Sequence, residues 1–152
     1  MRTKEQVEEL VVSAFGKMVN MEANLSVKVY PQKRELFVRT LQVVFNDLRL
    51  RNSHNMVTLQ QFADLIYAEE VKKQEFFENV RKRINEITKQ NYAPDSIILK
   101  EKDENSLEFF FDFSKIINPL TKEFGFSAPY TVMLRCRTPY QLADLFYRRG
   151  RF

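Results

Sequence analysis

The sequence contains few of the residues on which common enzymatic and metal sites depend. Its 152 residues include one histidine, one cysteine and three glycines, and tryptophan is absent. A Ser-His-Asp or Cys-His site would have to use His54, in a polar turn at 51–55, and zinc sites need clustered Cys and His. So few glycines also argue against a glycine-rich phosphate loop. We therefore predict that the protein is not an enzyme, that it holds no metal or other cofactor, and that it takes no small-molecule substrate.

The single cysteine and the short apolar runs bear on the location of the protein. One cysteine excludes an internal disulfide framework, so a reducing compartment is permitted. Cys136 lies between Arg135 and Arg137 and is either a thiol of lowered pKa or a buried structural residue. No apolar run approaches the roughly 18–20 residues that cross a bilayer. We expect a soluble cytoplasmic protein with no membrane partner.

Length, composition and charge indicate one ordinary globular domain. The chain is 44% hydrophobic and 29% charged, close to the globular average, and shows no internal repeat, low-complexity tract or linker. We assign residues 1–152 to a single domain, with 1–30 as a possible N-terminal extension. The 24 Lys+Arg residues against 20 Asp+Glu give a net charge of +4, which fits a nucleic-acid partner without identifying one.

Capping residues and apolar periodicity predict the elements at the two ends of the chain. Thr3 begins a capping box, and an apolar stripe follows, so a helix is expected over 3–20. A second stripe predicts a helix over 32–50. Between these helices, 25–30 alternates with period two and is typical of a short strand. Thr138, followed by a proline, predicts the start of a last helix.

The middle of the chain predicts a helix-turn-helix with a wing. A short capped helix over 58–66 is followed by a basic amphipathic helix over 74–89. Two apolar-rich runs, 97–100 and 107–113, are joined by a wholly polar segment and indicate a hairpin, while 130–137 is compatible with a strand or a helix. The predicted fold class is therefore α+β, a winged helix-turn-helix with an extra N-terminal helix and a C-terminal helix.

Basic and amide side chains supply candidate contacts to double-stranded DNA. On the second helix of this motif, cations can meet phosphates and Asn85 is the best candidate for a base edge. Carboxylates interleave with these cations, so a solvated helix face is the alternative. A second basic cluster lies near the end of the chain. The complete candidate set is Lys72, Lys73, Arg81, Lys82, Asn85, Lys89, Arg135, Arg137, Arg148 and Arg149.

The excess of phenylalanine raises the question of self-association. A strand over Phe109–Phe113 would carry aromatic side chains on both faces, and burial within one domain covers only one face. A homodimer interface could cover the other, and a C2 dimer is the usual closed assembly.

Three segments resemble a known family. Residues 107–114, 117–120 and 134–149 resemble the N-terminal winged-helix domain of plasmid replication initiator proteins. The resemblance implies a DNA-binding domain acting in replication initiation or its control in a plasmid or phage. Members carry a second winged-helix domain, which this chain does not show, so a role limited to dimerisation is also implied. The alternative function is accordingly a dimerisation or protein-interaction module without DNA binding, and both hypotheses stay open at the level of the sequence.

Overall fold

A computed structural model describes residues 1–50, 55–125 and 129–150, which excludes most of the polar turn that contains His54. The described residues form helices and no sheet, with one isolated antiparallel bridge between Lys28 and Thr58. In the described part of the chain, the α-helices are α1 (Lys4–Val19), α2 (Pro31–Val44), α3 (Leu59–Thr88), α4 (Leu107–Phe124), α5 (Tyr130–Met133) and α6 (Pro139–Arg149).

The predicted α+β winged-helix fold is wrong, because the segments assigned to the wing form no hairpin. Residues 97–100 lie in a turn region, and 107–113 form the first two turns of α4. The Ser106 hydroxyl caps this helix by accepting from the Phe109 N–H at 3.1 Å. Phe109, Phe113 and Ile117 are buried at a spacing of four residues. The phenylalanine run therefore follows a helical period and not the period of two that a strand requires.

Other predicted elements are also replaced. The helices expected over 58–66 and 74–89 are parts of the continuous helix α3, so no turn separates them. The strand expected over 25–30 contributes only the bridge at Lys28, and the ambiguous segment after Pro129 begins with the short helix α5.

The helices at the two ends of the chain confirm their predictions. Thr3 and Gln6 form a reciprocal capping box at the start of α1. Thr138 and Gln141 form the same arrangement at α6, and Pro139 occupies its first turn. Because these signals are local, tertiary packing does not override them.

The chain divides into two compact units, Met1–Gln74 and Glu75–Phe152. The first contains α1, α2 and the beginning of α3, and its core includes Phe15, Phe37 and Phe62. The second contains the end of α3 with α4, α5 and α6, and its core includes Phe109 and Phe113.

Both units contain the same turn after their first helix. Asn20 ends α1 in the left-handed conformation with φ 54°, and Lys89 follows α3 with φ 55°. The next residue bonds back in each case: the Met21 N–H donates to Gly16 O at 3.0 Å, and the Gln90 N–H donates to Asn85 O at 3.2 Å. The two turns lie 69 residues apart in the sequence.

A residue after each turn donates a backbone hydrogen bond to the residue before a helix N-cap. The Val29 N–H donates to Val57 O at 2.7 Å, and the Ile98 N–H, again 69 residues later, donates to Arg137 O at 2.7 Å. The helix after each acceptor has the same cap, since the Thr58 hydroxyl accepts from Gln61 N just as Thr138 accepts from Gln141 N.

The buried positions of the two units correspond as well. Helices α2 and α4 match with an offset of 72 residues, which pairs Phe37 with Phe109 in the two cores. Residues 58–69 and 138–149 match with an offset of 80 and share six identical residues. These are Thr58/Thr138, Gln61/Gln141, Ala63/Ala143, Asp64/Asp144, Leu65/Leu145 and Tyr67/Tyr147. The two units therefore follow one local plan, a repeat that sequence analysis did not detect.

Candidate interaction surfaces

Arg81 and Asn85, which are predicted to contact DNA, bond to a turn of the second unit. The Tyr92 N–H donates to Asn85 Oδ1 at 2.8 Å, and Asn85 Nδ2 donates to the Tyr92 carbonyl at 3.3 Å. Arg81 Nη1 donates to the same carbonyl at 3.0 Å. These hydrogen bonds support the turn, and the predicted DNA contacts of Arg81 and Asn85 stay predictions.

Arg81 is further engaged by a carboxylate on its own helix. Its Nε donates to Glu78 at 2.8 Å, and the Tyr140 hydroxyl donates to the same carboxylate at 2.7 Å. The hydrogen bond from Tyr140, followed by that from Arg81, lowers the pKa of Glu78. The Glu78 carboxylate, one of those that interleave with the candidate cations, is thus in direct contact with one of these cations, Arg81.

Arg137 is also committed to the interior of the second unit. Its guanidinium lies over the Phe109 ring, 4.6 Å from the centroid, and Nη2 donates to Ile98 O at 2.9 Å. It also forms an ion pair with Glu104. A cation over an aromatic ring and beside a backbone carbonyl stabilises the packing of α4 on the preceding segment.

Two further candidates have carboxylate partners. Arg148 Nε lies 3.0 Å from Asp144 on the same helix. In the first unit, Lys73 Nζ lies 3.1 Å from Asp47, which Arg2 also contacts at 2.8 Å. Burial raises the pKa of Asp47, but the hydrogen bonds from Arg2 and Lys73 outweigh it and lower that pKa to about 2.

The remaining five predicted residues have exposed side chains. Lys72 lies in the first unit; the other four, in the second, are Lys82, Lys89, Arg135 and Arg149. Exposed cations can still meet phosphates, but carboxylates stand beside some of them, as Glu86 does near Lys82 on α3. The structure therefore divides the candidate set into residues with partners inside their own unit and residues with exposed side chains.

The exposed apolar surface that sequence analysis placed on a strand over Phe109–Phe113 lies on the helix α4. Leu107, Phe110 and Phe111 are 75%, 44% and 58% exposed. The rings of Phe110 and Phe111 lie 5.7 Å apart, and the Tyr130 ring packs 4.7 Å from that of Phe110. The Tyr130 hydroxyl also donates to the Phe110 carbonyl at 3.0 Å. We call Leu107, Phe110 and Phe111 the ridge.

The first unit carries different chemistry at the positions that match the ridge. The offset of 72 residues between α2 and α4 pairs Leu107 with Glu35 and Phe111 with Arg39. Those two residues form an exposed ion pair of 2.6 Å. The exposed ion pair on α2 therefore corresponds to two exposed apolar side chains, Leu107 and Phe111, on α4. The two helices have matching buried positions.

The first unit has an apolar groove between α1 and α2 with a volume of about 530 Å³. Leu10, Ala14 and Met18 line it from α1, and Thr40 and Val44 line it from α2. We call these five residues the groove. Their spacing along each helix places them on one face, so the groove runs between two helices that pack together.

The corresponding helices of the second unit are bridged by charge. The offset of 69 residues pairs Ala14 with Arg83. Arg83 Nε lies 2.9 Å from Glu123 on α4, and Nη1 lies 3.2 Å from Glu86. An ion pair thus spans the two helices where the small side chain of Ala14 leaves the groove open.

The described residues bear on two kinds of chemical site, a metal site and a reactive thiol. Within 1–50, 55–125 and 129–150, no group of three or more His, Cys, Asp or Glu residues is placed to hold a metal. Burial, followed by the nearby Asp144 carboxylate, raises the pKa of the Cys136 thiol, which is opposite to the lowering considered from its flanking arginines. Over the same residues, no helix is both long and apolar enough to span a membrane.

Comparison with known proteins gives no relative. The sequence matches no protein-family model, and neither a curated protein nor a solved structure is significantly similar to it.

Proposed function

We propose that this protein is a helical protein-association module whose contact surface is the ridge on α4. The proposal rests on one observation, which is that Leu107, Phe110 and Phe111 are exposed next to one another. Singly exposed apolar residues are ordinary on protein surfaces. Three contiguous ones offer apolar area on the order of 300 Å², the size of the largest apolar patch on a typical monomer, which is often functional.

Packing supports the ridge as a binding surface. Tyr130 contacts Phe110 through its ring and its hydroxyl, so part of the ridge is held in place before any partner arrives. Less conformational entropy is then lost on binding. Charged residues border the apolar centre, with Glu108 and Lys115 both exposed on α4. An aromatic centre with a charged rim is the usual composition of a protein interface.

The proposal is tested by giving the ridge the residues of the first unit. Leu107→Glu with Phe111→Arg installs the pair found at Glu35 and Arg39. We expect the wild-type protein to show a mass that rises with concentration in sedimentation, and this variant to stay monomeric with an unchanged helical circular dichroism spectrum. The matched control, Glu35→Ala with Arg39→Ala, should associate as the wild type does. A monomeric wild type at about 100 µM, where a micromolar contact is nearly saturated, would refute the proposal.

DNA binding remains a second proposal, supported by the exposed side chains of Lys82, Lys89, Arg135 and Arg149. Contacts to several phosphates should make affinity for duplex DNA fall steeply with salt. Binding of a duplex pool at two salt concentrations, with the ridge variant in parallel, separates the two functions. Steep salt dependence that the ridge variant retains would favour DNA binding. A role in replication and a cytoplasmic location stay predictions from the sequence.

A further inference from the structure

We infer that α3 is a conformational coupling device, through which folding of the first unit supports the first helix of the second. The second unit begins within α3, at Glu75. Because α3 runs without interruption over Leu59–Thr88, the first helical segment of the second unit has no separate start of its own.

The helix starts show which segment lacks a cap. Three helices, α1, α4 and α6, each begin after a residue whose hydroxyl accepts from the backbone N–H three residues later, and these N-caps are Thr3, Ser106 and Thr138. The offset of 69 residues that relates the first helices of the two units pairs Thr3 with Lys72. A lysine ammonium donates hydrogen bonds and accepts none, so it cannot cap a helix in this way.

The missing cap makes the second unit dependent on the helical turns that precede it. The first four N–H groups of any helix have no acceptor within that helix. In the continuous helix α3, carbonyls of the preceding turn accept from the N–H groups of Phe76 and Phe77. Starting a helix afresh is costly, whereas continuing an existing one adds a hydrogen bond for each residue that is fixed. The turns of α3 in the first unit thus supply both the acceptors and the nucleus.

Contacts fix α3 closely on each side of the point where the second unit begins. In the first unit, Lys73 Nζ lies 3.1 Å from the Asp47 carboxylate. In the second, the ring centroid of Phe76 lies 5.3 Å from that of Phe124. Two residues separate these anchored positions, and α3 contains neither glycine nor proline. Fraying that began in the first unit would therefore reach packed residues of the second within one turn.

The ridge lies on α4, in the second unit, so unfolding of the first unit would weaken the support of the ridge. Coupling between two equilibria is reciprocal. A partner bound to the ridge would accordingly also stabilise the first unit, a consequence that rests on the proposed function.

The coupling is tested by weakening the first core and following each unit separately. Phe37→Ala removes a fully buried ring from the first unit. Residue-resolved NMR during urea unfolding gives a midpoint for the amides of each unit, and we expect both midpoints to fall together. A second unit that keeps its wild-type midpoint after the first has unfolded would refute the inference. If Phe37→Ala does not fold, Val38→Ala removes a smaller side chain from the same core.

A substitution at Lys72 tests whether the missing cap is the cause. In the Phe37→Ala background, Lys72→Thr places a hydroxyl three residues before Glu75, which completes a capping-box pattern. The matched control, Lys72→Ala, removes the same charge without adding a cap, and Lys72 is exposed, so neither change alters a core. With the first unit unfolded, the folding equilibrium constant of the second should be about fivefold higher in the threonine variant than in the control.

Equal folding constants for the two Lys72 variants would show that the missing cap does not couple the units, and the inference would be wrong. None of these measurements reads self-association, so a failure of the inference and a failure of the proposed function are distinguishable.

Discussion

The two units follow one plan but differ in what holds them together. In the first unit, Arg2 lies between the carboxylates of Asp47 and Glu70, and Glu70 is buried. In the second, Gly150 occupies the position that matches Glu70. The ring centroid of Tyr147 lies 5.9 Å from that of Phe76 and 6.2 Å from that of Phe77. At this matched position the first unit therefore has a buried carboxylate in an ion pair and the second unit has a glycine, while the cores of both units contain buried phenylalanines.

This difference separates the residues that specify the fold from those free to diverge. Both units retain the turn after the first helix, the backbone hydrogen bond from the segment that follows it, and the capped last helix. Surfaces outside that frame differ, and the ridge and the groove are the clearest cases. The proposed contact surface therefore lies at positions where the units depart from each other.

The largest expected effect is on the two cores. Phe37→Ala and Phe109→Ala occupy matched positions and remove fully buried rings, so each should lower the free energy of unfolding by about 3–5 kcal/mol. Chemical denaturation measures both. A loss below about 1 kcal/mol at one position but not at the other would show that the match between α2 and α4 is wrong.

At the turn after the first helix, a loss of stability is expected from a side chain that only the second unit has. Asn85→Ala removes both side-chain bonds to Tyr92 and should cost about 1–2 kcal/mol, whereas the matched position in the first unit is Gly16 and has no such side chain. Denaturation of the variant gives the cost. An unchanged stability combined with a relaxed DNA sequence preference would restore the base-contact role first predicted for Asn85.

Acid should weaken the first unit through Asp47. Its folded pKa of about 2 lies below the ordinary value of 3.8, so its stabilisation is fully present above that value and is lost as the pH falls towards 2. The loss should amount to about 2 kcal/mol. The free energy of unfolding, measured across this pH range, should change less steeply with pH in the Asp47→Asn control than in the wild type. Equal slopes would mean that Arg2 and Lys73 do not act on Asp47.

The smallest expected effects are equal ones at the two capping boxes. Thr58→Ala and Thr138→Ala should each cost about 1 kcal/mol, because each removes an acceptor for a free N–H at a helix start. Thermal unfolding of the two variants gives the comparison. Clearly unequal costs would indicate that the two caps are not equivalent in strength.

Local signals in the sequence predict the helix ends, whereas the tertiary plan is hidden. Thr3 and Thr138 cap helices as expected because their partners lie three residues away. The run at Phe109–Phe113 misleads, since phenylalanine favours strands and occupies four of these five positions, which hides the helical period. The cap at Ser106 and the buried stripe continuing to Ile117 were the available signal for a helix, and with it for the ridge.

The repeat is hidden because its offset changes along the chain. It is 69 residues through the turn, 72 at Phe109 and 80 at Thr138, so no single period aligns the units. Only the last helix retains obvious identity, and elsewhere the match is one of buried positions, such as Phe15 with Ile84. The groove depends on packing between α1 and α2 and has no local signature.

The shared hydrogen-bond frame is tested most directly by NMR couplings across hydrogen bonds. The account predicts measurable couplings from the Val29 amide to the Val57 carbonyl and from the Ile98 amide to the Arg137 carbonyl, since both bonds are 2.7 Å long. Detection of one coupling without the other, in a folded sample with both amides assigned, would contradict the claim that the two units follow one plan.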